Sequence, residues 1–479
     1  MDSTLTLPRE RPSALATLLW AAALAALVAL LFRPHAGGEA TGSLDYPAQS
    51  GARLVERHLA FYDGFEEAPS WQQWFFDLLF DGRDAVVAQA VATYQDILRF
   101  FTRHPERAGP WDVRNTRLRL LVLFGETGRW QAFRRELAAL GDMPEEAVLA
   151  ETLRFAYDLP LEGEVYVPEL HAGLRMFPGG WARDHVRLRV YRRLGLDEQY
   201  DAEAWLAARG RELRRETLVT AFIVGLGLVA GAGCALAGCV RRHRPWRAAA
   251  LETPWSLAEG TAVMIQSAVL GLLALVAAQW LAHLWNVPLL AHWSTLAVAL
   301  PMLWLVRRRL LAPRGLGFAE AFGLRVSRRT LLPLVAATLA VFAVERTGAL
   351  GISWLAWSAG FEPHWSEGLA ERWLWSSWSN ALASGIDVVV WAPIVEEIGF
   401  RGLLYLTLRS RLKPLPAALI SAGLFSLLHL YSVSGFLSVF WSGLVWAWAF
   451  ERFRSLLPGM LTHALGNLLV VSMVLVFYR

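Results

Sequence analysis

Four ionisable side chains lie within one apolar stretch in the last hundred residues of the chain. Residues 387–402 have the sequence Asp-Val-Val-Val-Trp-Ala-Pro-Ile-Val-Glu-Glu-Ile-Gly-Phe-Arg-Gly. Residues four apart share a face of an α-helix, so Glu397 and Arg401 are within ion-pair reach. Glu396 is turned by about 100° from Glu397, and loss of hydration beside a like charge would make it a stronger base. The pattern predicts a structural Glu397–Arg401 pair and a general base at Glu396.

Two later apolar segments contribute further polar groups. One contains Phe425-Ser-Leu-Leu-His429, and the other contains His463-Ala-Leu-Gly-Asn467 with its two polar residues four apart. Three apolar helices would therefore each present polar side chains to a common centre in a bundle. A carboxylate, two imidazoles and an amide are suited to activating water and stabilising an oxyanion.

Each of these groups also has an ordinary structural explanation. A single intramembrane His is more often a packed helix contact than a catalyst, an Asn often hydrogen-bonds neighbouring helices, and a Glu–Arg pair four apart often satisfies only itself. Together they favour a functional site, because charge at membrane depth is costly and the surrounding apolar segments contain few other ionisable groups.

The three motifs Glu-Glu-x-x-x-Arg, Phe-x-x-x-His and His-x-x-x-Asn, in this order, resemble those of the CPBP (CAAX protease and bacteriocin-processing, or Abi) family. That family includes the Ras-converting CAAX endoproteases. The resemblance covers about residues 380–470, and the segments from about residue 255 onward are loosely similar to the family's eight-helix core. It implies a glutamic-type intramembrane protease.

The resemblance also implies a role for each matching residue. Glu396 would activate water with the help of His429, and His463 with Asn467 would stabilise the oxyanion. The remaining positions of the motifs would support the site: Glu397, Arg401 and Phe425.

A zinc-dependent mechanism is the alternative, because members of the family have also been described as metalloproteases. Two His and one carboxylate suit Zn²⁺, and the ligands would be Glu396, His429 and His463. The chain contains no His-Glu-x-x-His motif, and an Asn is a poor zinc ligand. We therefore favour a mechanism with no cofactor.

The composition indicates an integral membrane protein. Of the 479 residues, 55% are hydrophobic and only 18% are charged, the mean hydropathy is +0.34, and Trp is abundant with 23 residues. Long apolar runs separated by charged loops are typical of polytopic membrane proteins. The net charge of +4 does not indicate nucleic-acid binding, since no basic, aromatic-interleaved stretch accompanies it.

Apolar runs near the length of about 20 residues that crosses a bilayer predict an all-α, polytopic helix bundle of about nine transmembrane helices. The predicted spans are 14–32, 217–240, 260–284, 289–306, 330–344, 380–408, 415–431, 435–450 and 459–477. The fifth of them is expected to end at the charged pair Glu345–Arg346.

The spans and charges predict four parts of the chain. These are a membrane anchor at 1–36, an inserted soluble helical domain at 37–215, a second span with a basic loop at 216–250, and the protease core at 251–479. Basic clusters follow several spans, and the positive-inside rule then predicts a cytoplasmic N-terminus and an extracytoplasmic 37–215 domain.

The 37–215 domain contains two related stretches at a constant offset. Arg117-Leu-Arg-Leu-Leu is followed by Gly125, and Arg187-Leu-Arg-Val-Tyr is followed by Gly195. A helix, a turn containing Gly and a second helix would explain both, as in helical-repeat proteins. Such a surface suggests recruitment of a protein partner.

The sequence thus favours an intramembrane endopeptidase that cleaves a membrane-anchored protein or peptide. Short loops and an Arg- and Ala-rich composition suggest a bacterial plasma membrane. One alternative is a non-enzymatic scaffold or bacteriocin-immunity protein with the same fold, which would be expected to have lost a motif residue. Another is a proton-coupled transporter, which would require inverted repeats with broken helices.

Overall fold

The computed structural model describes residues 13–32, 40–66, 68–79, 82–140, 144–157, 159, 166–196, 202–240, 253–287, 293–369 and 371–479. The described residues are predominantly helical and contain no β-strand. They divide into two compact units. Unit 1 is Met1–Gly37 with Phe222–Leu475, and unit 2 is Gly38–Ala221 with Val476–Arg479. The predicted all-α class is confirmed.

The first helices of the chain are, with one exception, those of unit 2. Their bounds are α1 (Ala14–Phe32, in unit 1), α2 (Pro47–Glu66), α3 (Ser70–Leu79), α4 (Arg83–Arg103), α5 (Asp112–Glu126), α6 (Trp130–Leu140), α7 (Pro144–Ala156), α8 (Val167–Met176), α9 (Trp181–Leu194) and α10 (Ala202–Val240). The last of these, α10, begins in unit 2 and continues into unit 1.

The remaining helices belong to unit 1. Their bounds are α11 (Leu257–Leu284), α12 (Ser294–Leu305), α13 (Phe318–Ala321), α14 (Arg328–Ser358), α15 (Glu371–Trp375), α16 (Trp378–Ile386), α17 (Ala392–Glu397), α18 (Leu406–Arg409), α19 (Pro414–Leu427), α20 (Val433–Phe453) and α21 (Leu457–Met473). Four segments are π-helical, with wider turns than an α-helix: Val306–Leu311, Asp387–Trp391, Ile398–Tyr405 and Val474–Tyr478.

Five helices of the described part are long and apolar enough to cross a membrane: Leu206–Gly238, Leu257–Leu284, Arg328–Ser358, Val433–Phe453 and Leu457–Tyr478. Shorter apolar helices accompany them, at Ala14–Ala26 and Pro414–Leu427. The predicted polytopic helix bundle is therefore confirmed. Two of the nine predicted spans differ from single α-helices. Residues 289–292 of the span 289–306 lie outside the described residues, and its described part, α12, continues into a π-helical turn at Val306. The span 380–408 is interrupted by two π-helical turns.

The predicted end of the fifth span is wrong. Helix α14 does not stop at Val344 but runs on to Ser358, so Glu345 and Arg346 lie in its interior. Glu345 is fully buried and accepts hydrogen bonds from Arg346 and from the Ser442 hydroxyl. The charge pair is satisfied within the bundle, so it does not mark a membrane boundary.

Helix α14 is central to unit 1, where it packs against both α20 and α21, while α20 packs against α19. A buried apolar cluster lies between these helices and consists of Val341, Phe425, Val445, Trp446 and Ala449. The two helices that carry the later motifs, α19 and α21, are thereby joined to this core: α19 packs against α20, and α21 packs against α14.

The two related stretches of unit 2 both lie on helices, α5 and α9. Helix α9 ends at the left-handed Gly195, as the pattern predicts. Gly125 instead lies inside α5, and the left-handed glycine that follows α5 is Gly128. Gly125 makes room for the Tyr157 ring, since a Cβ atom there would lie 2.6 Å from it. The turn that was expected at Gly125 therefore lies three residues later, at Gly128.

Helices α2 and α10 meet backbone to backbone within unit 2. A Cβ atom on Gly64 would lie 2.3 Å from the carbonyl oxygen of Gly210, and one on Gly210 would lie 2.7 Å from the Gly64 Cα. Neither backbone can move aside as a flexible side chain can, so Gly64→Ala is expected to destabilise unit 2 by at least about 1–3 kcal/mol. Thermal unfolding of purified protein measures this. Gly225→Ala, on α10 with nothing within 4 Å, is the control, and an equal effect of both would contradict the prediction.

Candidate active site

The paired glutamates lie on a helix in which two π-helical turns alternate with α-helical segments. Residues 378–409, named here the glutamate helix, run through α16, a π-helical turn at Asp387–Trp391, α17, a second π-helical turn at Ile398–Tyr405, and α18. Pro393 lies in the first turn of α17. Its ring lacks an N–H and clashes with the preceding turn, and a wider turn before it relieves this conflict. Such π-helical turns are frequent at functional sites.

Glu397 and Arg401 form the predicted ion pair, and it is fully buried. Arg401 Nη1 donates to Glu397 Oε1 at 2.8 Å, and neither residue is exposed. The guanidinium lies against two aromatic rings, with Cζ 4.5 Å from the centre of Phe425 and 5.0 Å from that of Trp446. Cation–π attraction of this kind is stronger away from water. The pair thus ties the glutamate helix to α19 and α20.

Small residues make room for this pair. A Cβ atom on Gly443 would lie 3.0 Å from Arg401 Nη2 and 2.8 Å from the Ala422 Cβ, and one on Gly459 would lie 3.4 Å from Glu397 Oε2. Helices with small residues at their contacts approach closely enough for polar groups to meet. Gly443 and Gly459 therefore contribute to the site by their size.

Glu396 differs from its neighbour in exposure and in partner. Its side chain is 30% exposed, against 1% for Glu397. The His463 imidazole lies between the two carboxylates, with Nε2 3.7 Å from Glu396 Oε2 and Nδ1 3.5 Å from Glu397 Oε1. Of the two adjacent glutamates, Glu396 is the one that water and a substrate could reach.

His429 lies in the turn after α19. Its Nδ1 is 2.8 Å from the Phe425 carbonyl oxygen, and a carbonyl only accepts, so Nδ1 carries the proton. In the neutral ring Nε2 is then left as a proton acceptor. The ring packs edge-on against Phe425, with centroids 4.7 Å apart.

Asn467 connects α21 to the glutamate helix. Its Nδ2 donates to the backbone carbonyl of Val388 at 2.8 Å, and Val388 lies in the first π-helical turn. A primary amide has two N–H groups, so a second donor is available on the same nitrogen. The structure thus brings Asn467 to the glutamate helix, on the face of α21 that also carries His463.

One residue at this centre was not predicted from the sequence. The Trp446 ring stacks on the His463 ring, with centroids 4.3 Å apart and planes 18° apart. Trp446 is one of many aromatic residues in the apolar helix α20, so nothing in its spacing distinguishes it. Only the packing of α20 against α21 shows where it lies.

A metal centre is not formed by these side chains as they are placed. Among the residues that the structure describes, no three His, Cys, Asp or Glu side chains are positioned to hold one metal ion. In the suggested zinc set of Glu396, His429 and His463, the His429 Nδ1 faces a backbone carbonyl and the His463 Nδ1 faces Glu397, so each ring would have only its Nε2 atom left to bind a metal. As they are placed, the three side chains do not converge closely enough to hold one ion.

A comparison with known protein families identifies this part of the chain. Residues 378–469 match the family described as type II CAAX prenyl endopeptidase Rce1-like. The match contains all three motifs, and the family consists of endopeptidases. No curated protein and no solved structure matches the chain significantly. With several helices long and apolar enough to cross a membrane, the chain is an integral membrane protein, and its residues 378–469 are similar to the Rce1-like endopeptidase family.

Proposed function

We propose that the protein is an intramembrane endopeptidase that hydrolyses a peptide bond of a membrane-associated protein or peptide, with Glu396 as the general base. The observation that carries this proposal is the contrast between the two glutamates. Glu397 forms a buried ion pair with Arg401, whereas Glu396 is partly exposed and lies beside His463. An accessible carboxylate with no cationic side chain in hydrogen-bonding contact is free to accept a proton from water.

In the proposed reaction, Glu396 takes a proton from water and the hydroxide attacks the scissile carbonyl carbon. The new C–O bond turns the carbonyl into an oxyanion. His463 Nε2–H and the second N–H of Asn467 donate to that oxyanion, and preorganised donors of this kind contribute strongly to catalysis. The C–N bond then breaks, and the proton held by Glu396 passes to the leaving nitrogen.

His429 assists the base. With its proton on Nδ1, its Nε2 can accept a hydrogen bond from the attacking water and orient it toward the carbonyl. The neighbouring Phe425 ring and the Phe425 carbonyl hold the imidazole in this orientation. His429 is thus a second contact for water, while Glu396 is the group that takes the proton.

The helical architecture also supports a proposal about the substrate and about how it is recruited. A base among membrane helices reaches peptide bonds in or near the bilayer, so the substrate is a membrane-anchored protein or peptide. Residues 37–215 are proposed to be an extracytoplasmic domain that recruits a protein partner through its helical surface. The proposed location is the bacterial plasma membrane, with the N-terminus in the cytoplasm.

The test compares membrane proteomes of cells that produce the wild-type protein or Glu396→Gln. Peptide mapping of the membrane fraction should show uncleaved proteins that accumulate with Glu396→Gln and are cut with the wild type. Glu362→Gln is the matched control, because Glu362 is an exposed carboxylate in the loop after α14 and should behave as the wild type. Identical membrane proteomes for Glu396→Gln and the wild type would overturn the proposal and favour a non-enzymatic scaffold.

A further inference from the structure

We infer that Trp446 is a positioning residue that fixes the plane of the His463 imidazole, an inference that rests on the function proposed above. Trp446 is 4% exposed and lies on α20, and His463 lies on α21. Their rings are close to parallel, at 18°, with centroids 4.3 Å apart. Such stacked contacts stabilise the relative orientation of the two rings beyond the effect of the buried area alone.

The hydrogen bonds of His463 do not by themselves fix its ring. The two carboxylate oxygens lie 3.5 Å from Nδ1 and 3.7 Å from Nε2, and both distances exceed the usual range of about 2.7–3.2 Å for such bonds. Nδ1 has no hydrogen-bond partner within the described residues. The imidazole therefore retains rotational freedom that its polar contacts do not remove, and the indole face is the closest ring surface that limits it.

Other aromatic contacts of His463 are weaker constraints. Phe425 approaches the imidazole edge-on, with centroids 6.1 Å apart and planes at 88°. An edge touches the ring along one side and leaves rotation about that side possible, whereas a parallel face blocks tilting in both directions. Trp446 is therefore the neighbour that decides where Nε2 points.

The same indole also contacts the buried ion pair. The Arg401 guanidinium carbon lies 5.0 Å from the centre of the Trp446 ring, and Arg401 in turn holds Glu397. One side chain of α20 thus links the orientation of His463 to the position of the glutamate helix. A displacement of Nε2 by about 1 Å is enough to lower catalysis by about 100-fold.

The kinetic test uses a peptide that spans a cleavage site identified by the Glu396→Gln comparison. Trp446→Leu removes the aromatic face, Trp446→Phe retains part of it, and Trp448→Leu is the matched control because Trp448 is 51% exposed on the same helix. We expect kcat to fall by about 10- to 100-fold in Trp446→Leu with KM within about twofold, since the ring orients the transition state. Trp446→Phe should recover most of kcat, and Trp448→Leu should match the wild type.

A spectroscopic test of the stack needs no substrate. In protein labelled with [¹³Cε1]histidine in lipid nanodiscs, the His463 Hε1 signal, assigned by its loss in His463→Asn, should lie upfield because of the indole ring current. The upfield shift should disappear in Trp446→Leu, or in Trp446→Met if the Leu variant does not fold, and persist in Trp448→Leu.

The outcomes separate this inference from the proposed function. An unshifted His463 signal, or a kcat of Trp446→Leu equal to that of Trp448→Leu, overturns the positioning role while Glu396→Gln remains inactive. If Glu396→Gln itself retains cleavage, the proposed function is wrong whatever the stack does. Loss of kcat without rescue by Phe and without a change in the His463 signal would indicate a general packing role and would also overturn the inference.

Discussion

Replacing Glu396 with Gln is expected to lower kcat/KM by about 10²- to 10⁴-fold, the contribution typical of a general base. The amide is nearly isosteric with the carboxylate but does not accept a proton from water. Because Glu396 is partly exposed and its closest polar contact is His463 at 3.7 Å, the substitution should leave the melting temperature almost unchanged. Cleavage of a substrate peptide by purified protein in nanodiscs, with thermal unfolding alongside, measures both quantities.

Two results would contradict this prediction. One is a Glu396→Gln variant with activity close to that of Glu362→Gln, which would place the base elsewhere. The other is loss of wild-type activity on treatment with 1,10-phenanthroline and its recovery on addition of Zn²⁺. That outcome would require a metal in the reaction and a rearrangement of Glu396, His429 and His463 from their positions here.

Replacing Glu397 with Leu is expected to destabilise the protein by about 3–5 kcal/mol, because it leaves the Arg401 guanidinium buried without its counter-charge. Both partners are fully buried, so water cannot take over the lost contact. The double variant Glu397→Leu, Arg401→Met removes both charges and keeps apolar volume, and it should recover most of the stability. Unfolding in mixed detergent micelles with increasing dodecyl sulfate measures the wild type and both variants on one scale.

The comparison between single and double variants decides this prediction. If the double variant is as unstable as Glu397→Leu, then lost packing and not an unpaired charge is the cause. If Glu397→Leu is as stable as the wild type, the pair does not hold the glutamate helix. Catalytic activity is measured separately. Glu397 Oε1 also lies 3.5 Å from His463 Nδ1, so we expect the double variant to be stable but slow.

Much of this arrangement was predictable because spacing on a helix is a local property. The four-residue separation of Glu397 and Arg401 predicted their ion pair, and the same separation placed His463 and Asn467 on one face of α21. The first helix begins and ends at the predicted residues, Ala14–Phe32. Apolar length and motif spacing depend only on the chain itself and need no knowledge of neighbours.

What could not be predicted depends on neighbouring helices. Glu345 can lie inside α14 because the Ser442 hydroxyl of α20 donates a hydrogen bond to it. Nothing in the sequence of α14 indicates that this partner is present. The stack of Trp446 on His463 depends on how α20 and α21 pack. The π-helical turn at Asp387–Trp391 also changes the angle between successive residues, so positions before it do not follow the 100° rule used for the residues after it.

The buried charges of the glutamate helix have a consequence for how the protein is made. An ionised side chain at the centre of a membrane segment costs about 2.5–3.5 kcal/mol during insertion by the translocon. Residues 378–409 contain several such groups and are absent from the spans that qualify by length and composition. Their partners Phe425, Trp446 and His463 are synthesised later. We therefore expect this segment to settle in the bilayer only when the following helices emerge, so that biogenesis of the site is a cooperative, late event.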